Sequence, residues 1–378
     1  QFHPTGMVWP PSVKGLLVTE SVRGDGGILK NSDGKRFMFD YIPEYFKSET
    51  ADTEEEADRW YDDKKNNRRP PELLPRDEVA RAINSEIKAG RGSPHGGIYL
   101  DIASRRTPEF IRKRLPSMYH QFKELADVDI TAEPMEIGPT CHYVMGGVEV
   151  DPDTELAAVT GLYAVGECSG GMHGSNRLGG NSLSDLLVFG RRAGEAAAAY
   201  AAGLGARPTI DEADVKAAEH SALAPFEVEG GENPYTIQSD LQQSMNDLVG
   251  IIRTADELEQ SLEAIEALKQ RASRMVVEGH RQYNPGWHLA IDLRNMLLVS
   301  EAIARAALAR EESRGGHTRD DFPGPDPEWG TKNLVVTLDA AGTGVDLAEK
   351  PLPVMPEELT KYFDPAPAAG SDTKEAGK

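Results

Sequence analysis

Leu162-Tyr163-Ala164-Val165-Gly166-Glu167 leads through a glycine-rich loop into His173-Gly174-Ser175-Asn176-Arg177-Leu178-Gly179-Gly180-Asn181-Ser182-Leu183. The first four residues form a short apolar run, the pattern of a buried strand. Beyond Gly179-Gly180 the chain is rich in helix formers to about Ala201, and Asn181 or Ser182 suits the N-cap. Strand, glycine loop and helix in this order bring backbone N–H groups to a cofactor in α/β folds. Val148 and Val150 suggest a further strand just before it.

On either side the pattern changes. Residues 1–142 mix short strands, turns and helices. Gly15 to Glu20 is expected as a strand, and Asn31-Ser32-Asp33-Gly34 as a turn between two extended stretches. Residues 43–70 are polar and aperiodic, so an irregular insertion or a helix–loop on the surface is expected. Arg76 to Ala89 carries Val79, Ile83 and Ile87 at a four-residue spacing, which predicts an amphipathic helix. Ile98 to Ile102 reads as a strand, and Pro108 to Ala126 as a helix or helix pair. Residues 204–235 read as a polar linker. Between 236 and 312 three helical patterns follow: Ile237, Leu241, Met245, Leu248 and Ile252; Leu258, Leu262, Ile265, Leu268 and Met275; Leu289, Leu293, Met296, Leu297, Ile303 and Leu308. Three amphipathic helices in a row predict a small antiparallel bundle. Asn333 to Leu338 reads as a strand, and 364–378 as a disordered tail.

Composition narrows the function classes. The 378 residues allow two or three domains. A net charge of −21, from 62 acidic and 41 basic residues, argues against nucleic acid as a partner. No run approaches the ~20 apolar residues of a membrane-spanning helix. The two cysteines, Cys141 and Cys168, form no C-x-x-C pair, so no metal site is expected. They leave a disulfide or two free thiols open, and free thiols in a reducing compartment are the expectation.

Six segments in order give the chain a specific resemblance. They are Gln1-Phe2-His3-Pro4-Thr5-Gly6; Thr19-Glu20-Ser21-Val22-Arg23-Gly24-Asp25-Gly26-Gly27; Pro75-Arg76-Asp77 with Val79-Ala80-Arg81; His142-Tyr143-Val144-Met145-Gly146-Gly147; the stretch His173 to Leu183; and Glu312-Ser313-Arg314-Gly315-Gly316-His317 with Asp321-Phe322-Pro323. Together they resemble the succinate dehydrogenase/fumarate reductase flavoprotein family over residues 1 to about 330. Departures are small: Asp25 stands where the family often has Glu, Glu78 replaces an apolar residue, and 43–70 resembles an actinobacterial-type insertion.

The resemblance implies a multidomain α+β and α/β chain. It comprises a capping domain at 1–142, the C-terminal part of a Rossmann-like FAD-binding domain at 143–203, the linker 204–235, a three-helix domain at 236–312 and a C-terminal segment at 313–363. No G-x-G-x-x-G occurs, although the family's flavin domain begins with one. The chain also opens on Gln1, inside a dense motif. Both lead to the expectation of an N-terminally truncated fragment, with the family's flavin-linking histidine outside it.

The implied reaction interconverts succinate and fumarate, moving a hydride to or from FAD and a proton to or from the neighbouring carbon. By resemblance His142 and Arg177 bind one carboxylate, and His3 and Thr19 the other. Arginine suits the task because its planar fork bonds a carboxylate bidentately. Arg76 matches the proton donor, with Glu20 and Arg23 as a relay toward solvent. Free arginine, with a pKa above ~12, hardly gives up a proton, and a desolvated site crowded with cations is what favours its neutral form. Cofactor contacts fall to Glu167, Asn181, Ser182 and Leu183, at the positive end of the helix. Arg314 and His317 receive no catalytic role; a solvated loop and a contact with a partner protein are equally compatible. The implied partners are an iron–sulfur subunit, with a membrane anchor reached through it at the cytoplasmic face of the cell membrane. Two other readings stay open: L-aspartate oxidase, a soluble relative with nearly the same motifs, and a non-catalytic fragment.

Overall fold

The computed structural model describes residues 1–360; the tail expected at 364–378, and the last residues of the segment 313–363, lie outside them. Four strands, β1 (Phe2–Met7), β2 (Ile28–Lys30), β3 (Ile98–Asp101) and β4 (Met135–Cys141), form an antiparallel sheet in the order β1-β4-β3-β2. Phe2 pairs with Cys141 and His3 with Thr140, and the register shifts between His3 and Gly6. Such a bulge bends a strand and re-aims its side chains. The same pairing brings the end of β4, and so His142, beside His3.

Five helices accompany this sheet: α1 (Ser21–Gly24), α2 (Glu54–Trp60), α3 (Arg76–Lys88), α4 (Pro108–Arg114) and α5 (Pro116–Ala126). In α3, Val79, Ala82 and Ile83 face the sheet's core. The 108–126 stretch is a helix pair because Pro116 cannot continue α4: it lacks the N–H and its ring excludes the preceding helical backbone. Residues 43–70 take the helix–loop form, one of the two expected. They hold α2, capped by the Thr53 side chain, and bury Thr50, Ala51 and Ala57.

Three expected strands are not formed. Leu17 makes one bridge to Gly6; Val148 and Val150 make single bridges to Ser169 and Ala157; Tyr163 makes one to Leu156. An extended segment becomes a strand only where a neighbour supplies a ladder, and among the described residues these find one pairing each. Residues 143–203 also contribute to neither of the two buried apolar clusters. The helix that follows, α6 (Asn181–Gly203), leaves Leu183 and Leu187 about as open as surface residues, at 69% and 77%.

The stretch expected as a linker, 204–235, carries α7 (Glu212–Leu223), whose N-cap is Asp211. Its charged, weakly periodic sequence buries no residue, which is why no apolar stripe announced it. The bundle consists of α8 (Pro234–Leu248), α9 (Ala255–Ala272) and α10 (Pro285–Ala309). Asn233, Thr254 and Asn284 cap these helices through their side chains, and Thr254 with Glu257 forms a capping box. Ile237, Leu241, Leu258, Ile265, Leu268, Leu293 and Leu297 are buried between them. Ile252 falls outside α8, and Met275 lies past α9 yet is buried. Leu293 is fully buried, so Leu293→Ala is expected to cost about 2–5 kcal/mol of stability. A lowered denaturant midpoint with an unchanged slope checks this; an unchanged midpoint contradicts the packing. After the bundle, β5 (Lys332–Leu338) pairs antiparallel with β6 (Val345–Pro351), and α11 (Glu357–Thr360) follows.

Candidate functional site

The site gathers where β1, β4, the start of α3 and the glycine loop meet. His3 is 1% exposed, and its ring lies edge-on to that of His142 at 5.4 Å between centroids. The Thr5 N–H lies 3.3 Å from His3 Nδ1. Nδ1 also lies 3.1 Å from the Thr5 carbonyl and 3.3 Å from the Thr5 hydroxyl, so Thr5 holds the ring by that nitrogen. Burial, with Arg23 and Arg76 nearby, pushes the His3 pKa down to about 3, so the ring is neutral at pH 7. Burial, Arg76 and Arg177 lower that of His142 as well.

The depressed pKa has a consequence for stability. Unfolded His3 takes a proton near pH 6.5, whereas folded His3 holds out to about 3. Its effect is nil above 6.5, and stability falls as pH drops from 6.5 toward 3. His3→Asn is expected to flatten the fall of the denaturant midpoint across that window. Parallel curves for variant and wild type would contradict a buried, neutral His3.

Thr5 Oγ donates to the Val18 carbonyl at 2.7 Å and the Val18 N–H donates to the Thr5 carbonyl at 2.9 Å, which holds Thr19 and Glu20 beside β1. The Thr19 hydroxyl itself contacts Ser21. Glu20 joins two guanidiniums: Arg76 Nε at 3.2 Å and Arg23 Nη2 at 3.7 Å. Arg76 is the first residue of α3, where the helix dipole disfavours a cation.

Arg23 departs from its expected place at the solvent end of a relay. It is fully buried. It bonds the Glu72 carbonyl, its own carbonyl accepts from Tyr61 at 2.8 Å, and its Nε and Nη2 have no hydrogen-bond partner. Burial lowers its pKa to about 10 despite Glu20. Glu72, also fully buried, is held bidentately by Arg36, and Arg36 also binds Asp58 of α2. The 43–70 insertion therefore closes over Arg23, while Glu20, 41% exposed, and Arg76, 29% exposed, meet solvent.

Arg177 is 6% exposed. Its Nη2 donates to Gln1 Oε1 at 2.8 Å and its Nη1 to the Leu178 carbonyl at 3.3 Å. Glu167 is exposed and accepts the Val144 N–H at 3.1 Å, beside His142. Asn181, Ser182 and Leu183 form the first turn of α6, but none caps it. Gly180, at φ 85°, takes the N-cap position, a backbone conformation that an L side chain resists. The first-turn N–H groups are consequently not covered by a capping side chain.

The segment 312–322 is not a solvated loop. Glu312 and Arg319 are buried, and Arg314 pairs with Glu312. The Gly316 N–H donates to the Ser175 carbonyl at 2.9 Å, Arg81 of α3 reaches Thr318, and Arg253 Nη1 meets His317 Nδ1 at 2.9 Å. Gly315 is required there: at φ 59° a Cβ would come within 2.4 Å of the Ser175 oxygen. Arg253, missed in the sequence because it lies between two helices, is half-buried, and desolvation beside Arg319 takes its pKa down to about 10. Cys141 and Cys168 are free thiols. Among the described residues no group of acidic, histidine or cysteine side chains is placed to hold a metal ion, and no helix is long and apolar enough to cross a membrane.

Comparison with known proteins agrees with this architecture. The FAD binding domain family matches residues 1–183, and the Fumarate reductase flavoprotein C-term family matches 238–366. A polypeptide of the fumarate reductase (CoM/CoB) of Methanothermobacter marburgensis is 42% identical over 332 residues, covering 87% of this chain and 54% of that protein. The fumarate reductase flavoprotein subunit of Escherichia coli K12 is 38% identical over 85% of this chain and 51% of its own length. In structure, Mycobacterium smegmatis Sdh1 in complex with UQ1 superposes with a TM-score of 0.79 at 59% identity, over 96% of this chain and 57% of that one. The fold and its glycine loop are those of an FAD-binding flavoprotein, and the chain belongs to the succinate dehydrogenase/fumarate reductase flavoprotein family. It spans about half the length of the curated relatives it matches.

Proposed function

We propose that this chain is the dicarboxylate-handling portion of a succinate dehydrogenase/fumarate reductase flavoprotein, interconverting succinate and fumarate. The observation that carries the reading is the convergence of neutral His3, His142, Arg76 and Arg177 in a chain whose net charge is −21. A strongly acidic protein that gathers two arginines beside neutral imidazole at one point has a small anion as its natural ligand. An imidazole–guanidinium grouping, His142 with Arg177, and an imidazole–hydroxyl grouping, His3 with Thr19, suit a molecule with two carboxylates.

Residues 1–142 form the capping domain, 143–203 part of the FAD-binding domain, 236–312 the helical domain and 313–363 the closing segment. His142 and Arg177 take one carboxylate; His3 and Thr19 take the other. Each hydrogen bond to a charged group is worth about 1.5–3 kcal/mol, so the clamps fix orientation as well as affinity. Arg76 holds the proton that joins or leaves the carbon chain. Glu20, bonded to Arg76 and open to solvent, exchanges it, and buried Arg23 holds Glu20 in place.

The residues present fit FAD: the first turn of α6 offers N–H groups at the positive end of a helix, and the Glu167 carboxylate is exposed beside it. When bound, FAD supplies the two-electron acceptor or donor. An iron–sulfur subunit is the electron partner, and a membrane anchor at the cytoplasmic face the indirect one. The similarity to fumarate reductase flavoproteins favours this reading over L-aspartate oxidase. The test is turnover of the flavin-loaded full-length protein with an artificial dye acceptor. Succinate oxidation that outpaces L-aspartate oxidation is expected; preference for L-aspartate would overturn the assignment.

A further inference from the structure

Arg177 has an unusual set of partners for a buried cation. Among the described residues no carboxylate pairs with it. Its guanidinium meets one amide oxygen and one backbone carbonyl, and Nε is buried without a partner. What it does have is a ring: Arg177 Cζ stands 4.5 Å from the centroid of Tyr143, itself only 4% exposed. An aromatic face attracts a cation through its quadrupole. It does so without consuming the N–H edge of the guanidinium, and without the negative charge that would compete with a carboxylate ligand.

Tyr143 is in turn held from two sides. The Tyr143 N–H donates to the Gln1 carbonyl at 3.2 Å and the Tyr143 carbonyl accepts from the Gln1 nitrogen at 2.7 Å. The His173 ring lies edge-on at 5.4 Å. Burial together with the Asp185 charge raises the pKa of its hydroxyl. Asp185 is buried, belongs to α6 and lies 3.4 Å from His173 Nε2, outside hydrogen-bond geometry.

We infer that Tyr143 is a positioning residue for Arg177: its face holds the guanidinium with the N–H edge turned to the ligand. This rests on the reading of Arg177 as a carboxylate clamp. Tyr143 touches neither the reacting carbon nor the proton, so its removal acts on dicarboxylate affinity and not on the chemical step.

The experiment is steady-state kinetics and malonate binding in the flavin-loaded full-length protein, wild type against Tyr143→Leu and Tyr143→Phe, at matched flavin content and circular dichroism. Tyr143→Leu is expected to raise the succinate KM and the malonate Kd by about ten- to thirtyfold, the loss of a desolvated cation–π contact, with kcat within about threefold. Tyr143→Phe keeps the face and loses only the hydroxyl, so it recovers most of that loss. Tyr143→Met, similar in bulk and without a ring, replaces the leucine variant if that chain does not fold. Leucine and phenylalanine variants that behave alike, or a kcat that falls as far as KM rises, overturn the inference. Failure of the functional reading has a different signature: wild type itself binds no malonate and oxidises no succinate.

Discussion

Arg76→Lys is expected to lower succinate turnover by roughly 10²–10⁴-fold, the range for loss of a positioned proton donor, with malonate affinity changed far less. The geometry explains why lysine is no substitute. Arg76 meets Glu20 through Nε at 3.2 Å, which leaves both Nη groups for the ligand side. A lysine has one nitrogen and cannot touch the carboxylate and the reacting carbon's proton together. Arg76 opens α3, and Arg23 shares the same carboxylate. Arg23→Gln is a milder change, because Arg23 is sealed beneath Glu72 and Tyr61 and acts through Glu20. Near-normal turnover in Arg76→Lys would sink the assignment of the proton to Arg76.

Arg177→Ala is expected to weaken malonate binding by about 2–5 kcal/mol, which is roughly thirtyfold to several thousandfold. The side chain is buried, and only amide oxygens and the Tyr143 face hold it. Truncation therefore leaves no salt bridge to rearrange; it removes the bidentate partner of a carboxylate. Malonate Kd read from flavin absorbance checks this, and a change below about threefold would remove Arg177 from the clamp.

Much of this was legible in the sequence, and the limits have physical causes. The bundle was readable because its apolar residues repeat at helical spacing and its caps are Asn and Thr. The α3 helix was readable from the same spacing. Strands β1 and β4 were not read as such: Pro4, Gly6, Gly138 and Pro139 break the alternation, and pairing across the sheet overrides local preference. β6 hides its period of two among charged residues, at Val345 and Leu347. For the site, motifs named His3, Arg76, His142 and Arg177, and the β1–β4 register sets the two histidines side by side. Motifs gave no warning that Arg23 is buried, because α2 and Arg36 close over it from distant parts of the chain. Nor did they mark Gly180 as the N-cap of α6, a position that its positive φ decides.

The central claim is that one cluster of buried His3 and Arg177 with half-buried His142 and Arg76 receives a dicarboxylate beside the cofactor. The most direct measurement is malonate titration of the flavin-loaded full-length protein, followed by flavin absorbance, in wild type and Arg177→Ala. A saturable spectral change in wild type, competitive with succinate, is expected, together with its loss in the variant over the same concentration range. A malonate response that is absent in wild type, or that survives unchanged in Arg177→Ala, would contradict it.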